Sequence, residues 1–155
     1  MSLQDEIKQT KPFKSISEEL YLSIIYTAEK IKHSTECTFK QFGLTSTQYN
    51  ILRILRGAGD LGRTCGEISE RMISKIPDIT RLIDRMEKKA LVKRERSETD
   101  RRVVKVFILN DGLNLLDTCE PHIKKVNTTL FSHLSTEEQN VTIQTLTKIR
   151  DQLNS

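Results

Sequence analysis

Between Lys75 and Leu109 the chain reads KIPDITRLIDRMEKKALVKRERSETDRRVVKVFIL, and three structural periods follow one another within it. Ile79, Leu82, Ile83 and Met86 recur at the i, i+3, i+4, i+7 spacing of a helix with one buried face. Asp78, Arg81, Asp84, Arg85 and Lys88 fall on the opposite face. Leu91 to Arg96 is short and basic, Ser97 to Arg102 is polar and turn-forming, and Val103 to Leu109 is β-branched and long enough for a strand. A helix with a cationic outer face, leading at once into a hairpin with two arginines at its tip, has the geometry to enter a DNA major groove and the neighbouring minor groove.

The charge is confined to the same place. Arg71 to Lys105 holds 12 Lys and Arg against 6 Asp and Glu, a net of +6, whereas the whole chain is only +4. Such local basicity suits a polyphosphate partner better than a uniformly basic surface does. At 155 residues the chain is expected to form one domain with an attached oligomerisation element. It has no run of 18 apolar residues, so no membrane span is expected, and its polar start, Met1 to Glu6, points to the cytoplasm. Cys37, Cys65 and Cys119 have no Cys-x-x-Cys spacing, and His33, His122 and His133 form no cluster with them. No disulfide framework, metal site or cofactor is therefore expected. Without a glycine-rich phosphate loop or a paired nucleophile and base, the chain does not read as an enzyme.

Working outward from the central segment, four Ser/Thr-x-x-Glu/Gln pairs mark helix starts: Ser15 with Glu18, Thr45 with Gln48, Thr64 with Glu67, and Ser135 with Glu138. The expected helices run over about 16–42 with a stop at Gly43, 46–56, 65–72, 75–89, onward from an Asn110 cap, and 136–153. Ser74 is the expected cap of the fourth helix, with Pro77 tolerated in its first turn. The third and fourth helices, joined by a short turn, make a helix-turn-helix. In the fifth, Leu116, Cys119, Ile123, Val126 and Leu130 alternate in steps of three and four, the seam of a coiled-coil-like contact. Pro121 within that seam predicts a kink or a break. The first, fifth and sixth helices carry more apolar surface than a small winged module can cover, which predicts a symmetric dimer.

The order and spacing of these motifs resemble the multiple-antibiotic-resistance regulator (MarR) family. The resemblance is carried by Leu44 to Leu52, Thr80 to Lys89, Leu91-Val92-Lys93-Arg94, Asp100-Arg101-Arg102 and Ile108 to Gly112, and extends over about 17–153. Ala90 stands where the family usually has glycine, Asn110 where threonine is common, and Pro121 is atypical. The resemblance implies a mainly α fold of about six helices with a two- to three-stranded β-wing. Residues 44–110 would form the winged helix-turn-helix, and 15–43 with 110–155 the dimerisation helices.

It further implies a homodimeric repressor on a pseudo-palindromic operator in double-stranded DNA. Lys75, Pro77, Asp78, Arg81 and Arg85 would face the major groove, with Arg81 reading guanine and Arg85 one turn on at phosphate. At the wing, Arg102 would probe the minor groove, Arg101 the backbone, and Asp100 would orient them through an ion pair or serve as a plain turn residue. The assignments of Arg101 and Arg102 are interchangeable. A small aromatic effector between dimerisation helices and winged module would meet Tyr26, His33 and Tyr49, although the tyrosines equally suit half-buried core positions. The thiol-sensing branch places its reactive cysteine where this chain has Leu22, which favours a small-molecule effector, or none, over oxidation. Thiol-based sensing and a non-DNA-binding interaction module of the same fold remain the alternatives.

Overall fold

The computed structural model describes residues 2–97 and 100–154; Met1, Glu98, Thr99 and Ser155, two of them in the expected wing turn, lie outside the described residues. The element order is α1 (Leu3–Glu6), α2 (Ile16–Lys40), α3 (Ser46–Ala58), a 3-10 turn (Gly59–Leu61), α4 (Cys65–Arg71), α5 (Ile79–Lys88), β1 (Val92–Arg96), β2 (Val104–Ile108), α6 (Asn110–Leu130) and α7 (Thr136–Leu153). The mainly helical winged architecture is as expected. The short α1 was not foreseen, although Ser2 and Asp5 cap each other reciprocally at its start.

Capping chemistry sets the helix starts. Thr45, Thr64 and Ser135 each accept from the N–H three residues on, and their Gln48, Glu67 and Glu138 partners reach back to the cap N–H. The fourth pair works on one side only. Ser15 accepts from the Glu18 N–H at 3.1 Å, but the Glu18 carboxylate takes the Lys14 N–H at 2.6 Å instead. Two expected starts are displaced. α5 begins at Ile79, not near Lys75, because Asp78 and not Ser74 is the cap, its carboxylate accepting from the Arg81 N–H at 3.1 Å. Pro77 therefore sits in the turn before the helix. At α6 the cap residue is Leu109, which offers no side-chain bond, and Asn110 is the first helical residue. α6 also runs unbroken through Pro121.

The core lies inside the winged module. Ile51, Leu52 and Leu55 of α3, Ile68 of α4, Ile83 and Met86 of α5, Val92 of β1 and Val106 of β2 are fully buried, joined by Leu116 and Cys119 of α6. The amino-terminal half of the expected α6 seam is thus taken up by the chain's own core, where it closes over α3. The sheet is a two-stranded antiparallel ribbon pairing Val92 with Ile108, Arg94 with Val106 and Arg96 with Val104. Arg63 adds a single bridge on its other edge, exchanging backbone bonds with Val106 at 3.0 and 2.7 Å.

Two glycine-type positions set how the wing meets the helices. Ala90 adopts φ +55° and closes a Schellman turn, with its N–H on the Glu87 carbonyl and the Leu91 N–H on the Met86 carbonyl. Gly112 lets α6 press against the start of the wing, since a Cβ there would lie 2.5 Å from the Leu91 carbonyl oxygen. By contrast, α7 buries none of its residues. Ile16, Leu20, Tyr21 and Ile25 of α2, with Val141, Ile143 and Leu153 of α7, remain exposed. No described helix is long and apolar enough to cross a membrane.

Candidate nucleic-acid interface

α5 positions its basic side chains by burying the opposite face. Ile83 and Met86 are inaccessible in the core, and that anchoring leaves Arg81 and Arg85 exposed. Arg81 is 80% exposed, and its Nε lies 2.9 Å from Asp78 Oδ2. Asp78 therefore does two things at once: one oxygen caps the helix and the other steadies the arginine. Because the carboxylate takes Nε, the two terminal guanidinium nitrogens remain available for a bidentate acceptor such as the guanine edge. An exposed pair of this kind adds little to stability, so its effect is on orientation. Lys75 and Pro77 are exposed in the segment leading into α5.

At the wing, Asp100 does not ion-pair with either arginine among the described residues. Its carboxylate accepts from the backbone N–H of Arg102 at 2.9 Å, and its carbonyl accepts from the Val103 N–H at 2.9 Å. This is an Asx-type turn, which shapes the hairpin end through the backbone. Arg101 and Arg102 are both exposed there.

The three residues expected around an effector are not gathered into one site. Tyr49 is buried against Phe39, with ring centroids 4.7 Å apart, and burial pushes its phenol pKa up. The groove it borders is completed by Arg53, Asp117, Glu120 and Lys124, and by neither Tyr26 nor His33. Tyr26 lies on α2 beneath the Lys30 ammonium, 5.2 Å from its ring centroid, and His33 is exposed on the same helix. Apolar periodicity alone could not separate these settings, because a tyrosine in a core and one in a crevice have the same spacing. A different cleft of about 640 Å³ opens between α2 and the approach to α5, lined among others by Lys32, Glu36, Ser46, Lys75, Arg81 and Arg85. Glu36 holds its α3 wall in place by accepting from both the backbone N–H and the hydroxyl of Ser46.

Sequence reasoning placed Arg94 in the motif that carries the family resemblance but assigned it no role. From β1 its guanidinium reaches Asp84 Oδ1 at 2.6 Å, Glu87 Oε2 at 2.9 Å and the Thr80 carbonyl at 3.0 Å. Its backbone N–H donates to Glu87 Oε1 at 2.9 Å. The acidic residues Asp84 and Glu87 at a spacing of three, followed by a strand arginine, were the available signal.

A helix-turn-helix whose second helix exposes arginines, followed directly by an arginine-tipped hairpin, defines a winged helix-turn-helix DNA-binding protein. Comparisons with known proteins agree. The MarR family model matches residues 44–104. The HTH-type transcriptional regulator MhqR of Bacillus subtilis (strain 168) is 31% identical over 108 residues, 69% of this chain and 72% of that protein. The crystal structure of a MarR transcription factor from Planctomyces limnophilus shares 36% identity and a TM-score of 0.67, covering 87% of this chain and 98% of that one. The structure of a DNA complex of MepR from S. aureus has the same fold, with a TM-score of 0.76, 22% identity, and coverage of 90% and 99%. The chain belongs to the MarR family of transcriptional regulators.

Proposed function

We propose that this regulator is a homodimeric repressor that reads a pseudo-palindromic operator, α5 in the major groove and the wing in the minor groove. The observation that carries the reading is Arg81, exposed on the first turn of α5 with its Nε held by Asp78 and no ion-pair partner on its fork among the described residues. MepR, which shares the fold, has been solved on DNA. In this reading Arg81 pairs with guanine, Arg85 and Lys75 contact phosphate, and Pro77 packs on base edges beside Asp78. Arg102 enters the minor groove while Arg101 meets the backbone, on a turn built by Asp100. Residues 44–110 form the reading module. Residues 15–43 and 110–155 supply the dimer contact, since Ile16, Leu20, Ile25, Val141, Ile143 and Leu153 otherwise leave apolar surface in water. A small aromatic effector would act most directly from the cleft beside α5, where an occupant touches both Arg81 and Arg85.

Selection of bound duplexes from a random pool tests the reading. It should return inverted half-sites about one helical turn apart, roughly 10–10.5 base pairs centre to centre. Arg81→Ala should weaken binding to the selected duplex by about 1–3 kcal/mol and relax preference at one position per half-site. Failure to enrich any sequence would overturn the proposal.

A further inference from the structure

The contacts of Arg94 span the recognition helix lengthwise. Thr80, Asp84 and Glu87 are spaced four and three residues apart, so they form one stripe along two turns of α5, and a single guanidinium on β1 engages all three. Each is adjacent to a residue of consequence: Thr80 precedes Arg81, Asp84 precedes Arg85, and Glu87 closes the Schellman turn at Ala90. On the strand side, Arg94 pairs with Val106, which is fully buried and also bridged to Arg63 just before α4. The Arg94 side chain is only 21% exposed, in contrast to the 80% of Arg81. It is therefore turned into the protein while the arginines of α5 face out.

We infer that Arg94 is a positioning residue for operator reading: it fixes the angle between the recognition helix and the wing, so that Arg81 and Arg102 meet adjoining grooves in register. The inference rests on the operator-binding reading above. The hairpin otherwise meets α5 through apolar packing of Val92 and Val106 in the core with Ile83 and Met86, which is not directional, and a shift of about an ångström at the helix would misplace a bidentate contact at a base edge. Contacts to phosphate tolerate such a shift because a point charge needs no fixed angle. Selectivity should therefore depend on Arg94 far more than general DNA affinity does. Lysine cannot substitute, since one ammonium on a flexible stem does not reproduce a planar fork shared among two carboxylates and a carbonyl.

The test measures binding of full-length wild type, Arg94→Lys and Arg94→Met to a duplex selected by the wild type and to a scrambled duplex of equal length, across a salt series. Arg94→Lys should bind the selected duplex about tenfold or more weakly, yet the scrambled duplex within about twofold of wild type and with unchanged salt slope. Arg94→Met, which leaves Asp84 and Glu87 uncompensated, should in addition lose affinity for the scrambled duplex. Should Arg94→Met fail to fold, Arg94→Lys alone decides. Equal binding of Arg94→Lys and wild type to the selected duplex overturns the inference, as does loss of both duplexes by Arg94→Lys in the same proportion, which marks a merely structural role. If the wild type selects no duplex, the operator-binding reading fails and this inference with it; if it selects one and Arg94→Lys keeps the preference, only this inference fails.

Discussion

Gly57→Ala and Gly112→Ala are the same chemical change in two helices, and they should move stability in opposite directions. Gly57 lies in the last turn of α3, and apart from its chain neighbours and its own helix backbone no atom of the described residues comes within 4 Å of the point a methyl carbon would occupy. Alanine there gains helix propensity and restricts the unfolded chain, a stabilisation of about 0.5–1 kcal/mol. Gly112 in α6 would gain the same intrinsic term. Its new Cβ, however, would lie 2.5 Å from the Leu91 carbonyl oxygen, 2.9 Å from Ile108 Cγ1 and 3.2 Å from Leu52 Cδ2. The isoleucine can rotate, but the carbonyl is held: it accepts from the Leu109 N–H at 3.0 Å, and the Leu91 N–H is itself bonded to Met86. Relief therefore means moving α6 off the wing. That costs about 1–3 kcal/mol of overpacking and about 1 kcal/mol for the strained hydrogen bond, less about 1 kcal/mol of propensity. The net is a loss of about 1–3 kcal/mol. Urea unfolding followed by circular dichroism at one fixed protein concentration measures both variants, since any self-association links stability to concentration. If Gly112→Ala is as stable as wild type, the close approach of α6 to β1 does not set the requirement for glycine, and the account of how the wing is anchored is wrong.

Other outcomes follow from the same geometry. Ala90→Gly should stabilise by about 0.5–1 kcal/mol, because alanine at φ +55° bears the left-handed penalty and glycine returns only part of it through unfolded-state entropy; thermal unfolding reads this directly. Thiol labelling at neutral pH should modify exposed Cys37 readily and Cys119 only on unfolding, since Cys119 is fully buried and burial pushes its pKa up. Because the unfolded thiol ionises near 9.0 and the folded one higher, Cys119 should also lower stability as pH rises above about 9, an effect absent in Cys119→Ala. The hydrogen bond from Arg56 holds the Glu120 carboxyl below its ordinary value of 4.5. Its contribution is therefore present above pH 4.5 and lost as pH falls below it, and Glu120→Gln should flatten the acid limb of a stability-against-pH curve.

Much of the architecture was legible in the linear chain because its signals are local. Capping pairs at Thr45, Thr64 and Ser135 act within four residues, and the helix and strand periods of 79–86 and 103–109 need no distant partner. Where two local signals competed, folding in three dimensions chose. Ser74 and Asp78 can both cap, and Asp78 prevails where Ile79, Leu82 and Ile83 turn toward the core. Tyr26, His33 and Tyr49 share a plausible pattern, yet Tyr49 is drawn into the core by Phe39.

The residue types, their periodicity and the concentrated positive charge were enough to establish a winged helix-turn-helix with exposed arginines at α5 and the wing tip. Long-range packing alone decided what holds those arginines in relation to each other. Arg94 meets Thr80, Asp84 and Glu87 only after β1 folds back along α5, and Leu91 meets Gly112 only after α6 returns across the wing. Such contacts depend on the direction in which separate elements cross, and a charge or a missing Cβ carries no record of that direction until the core has formed.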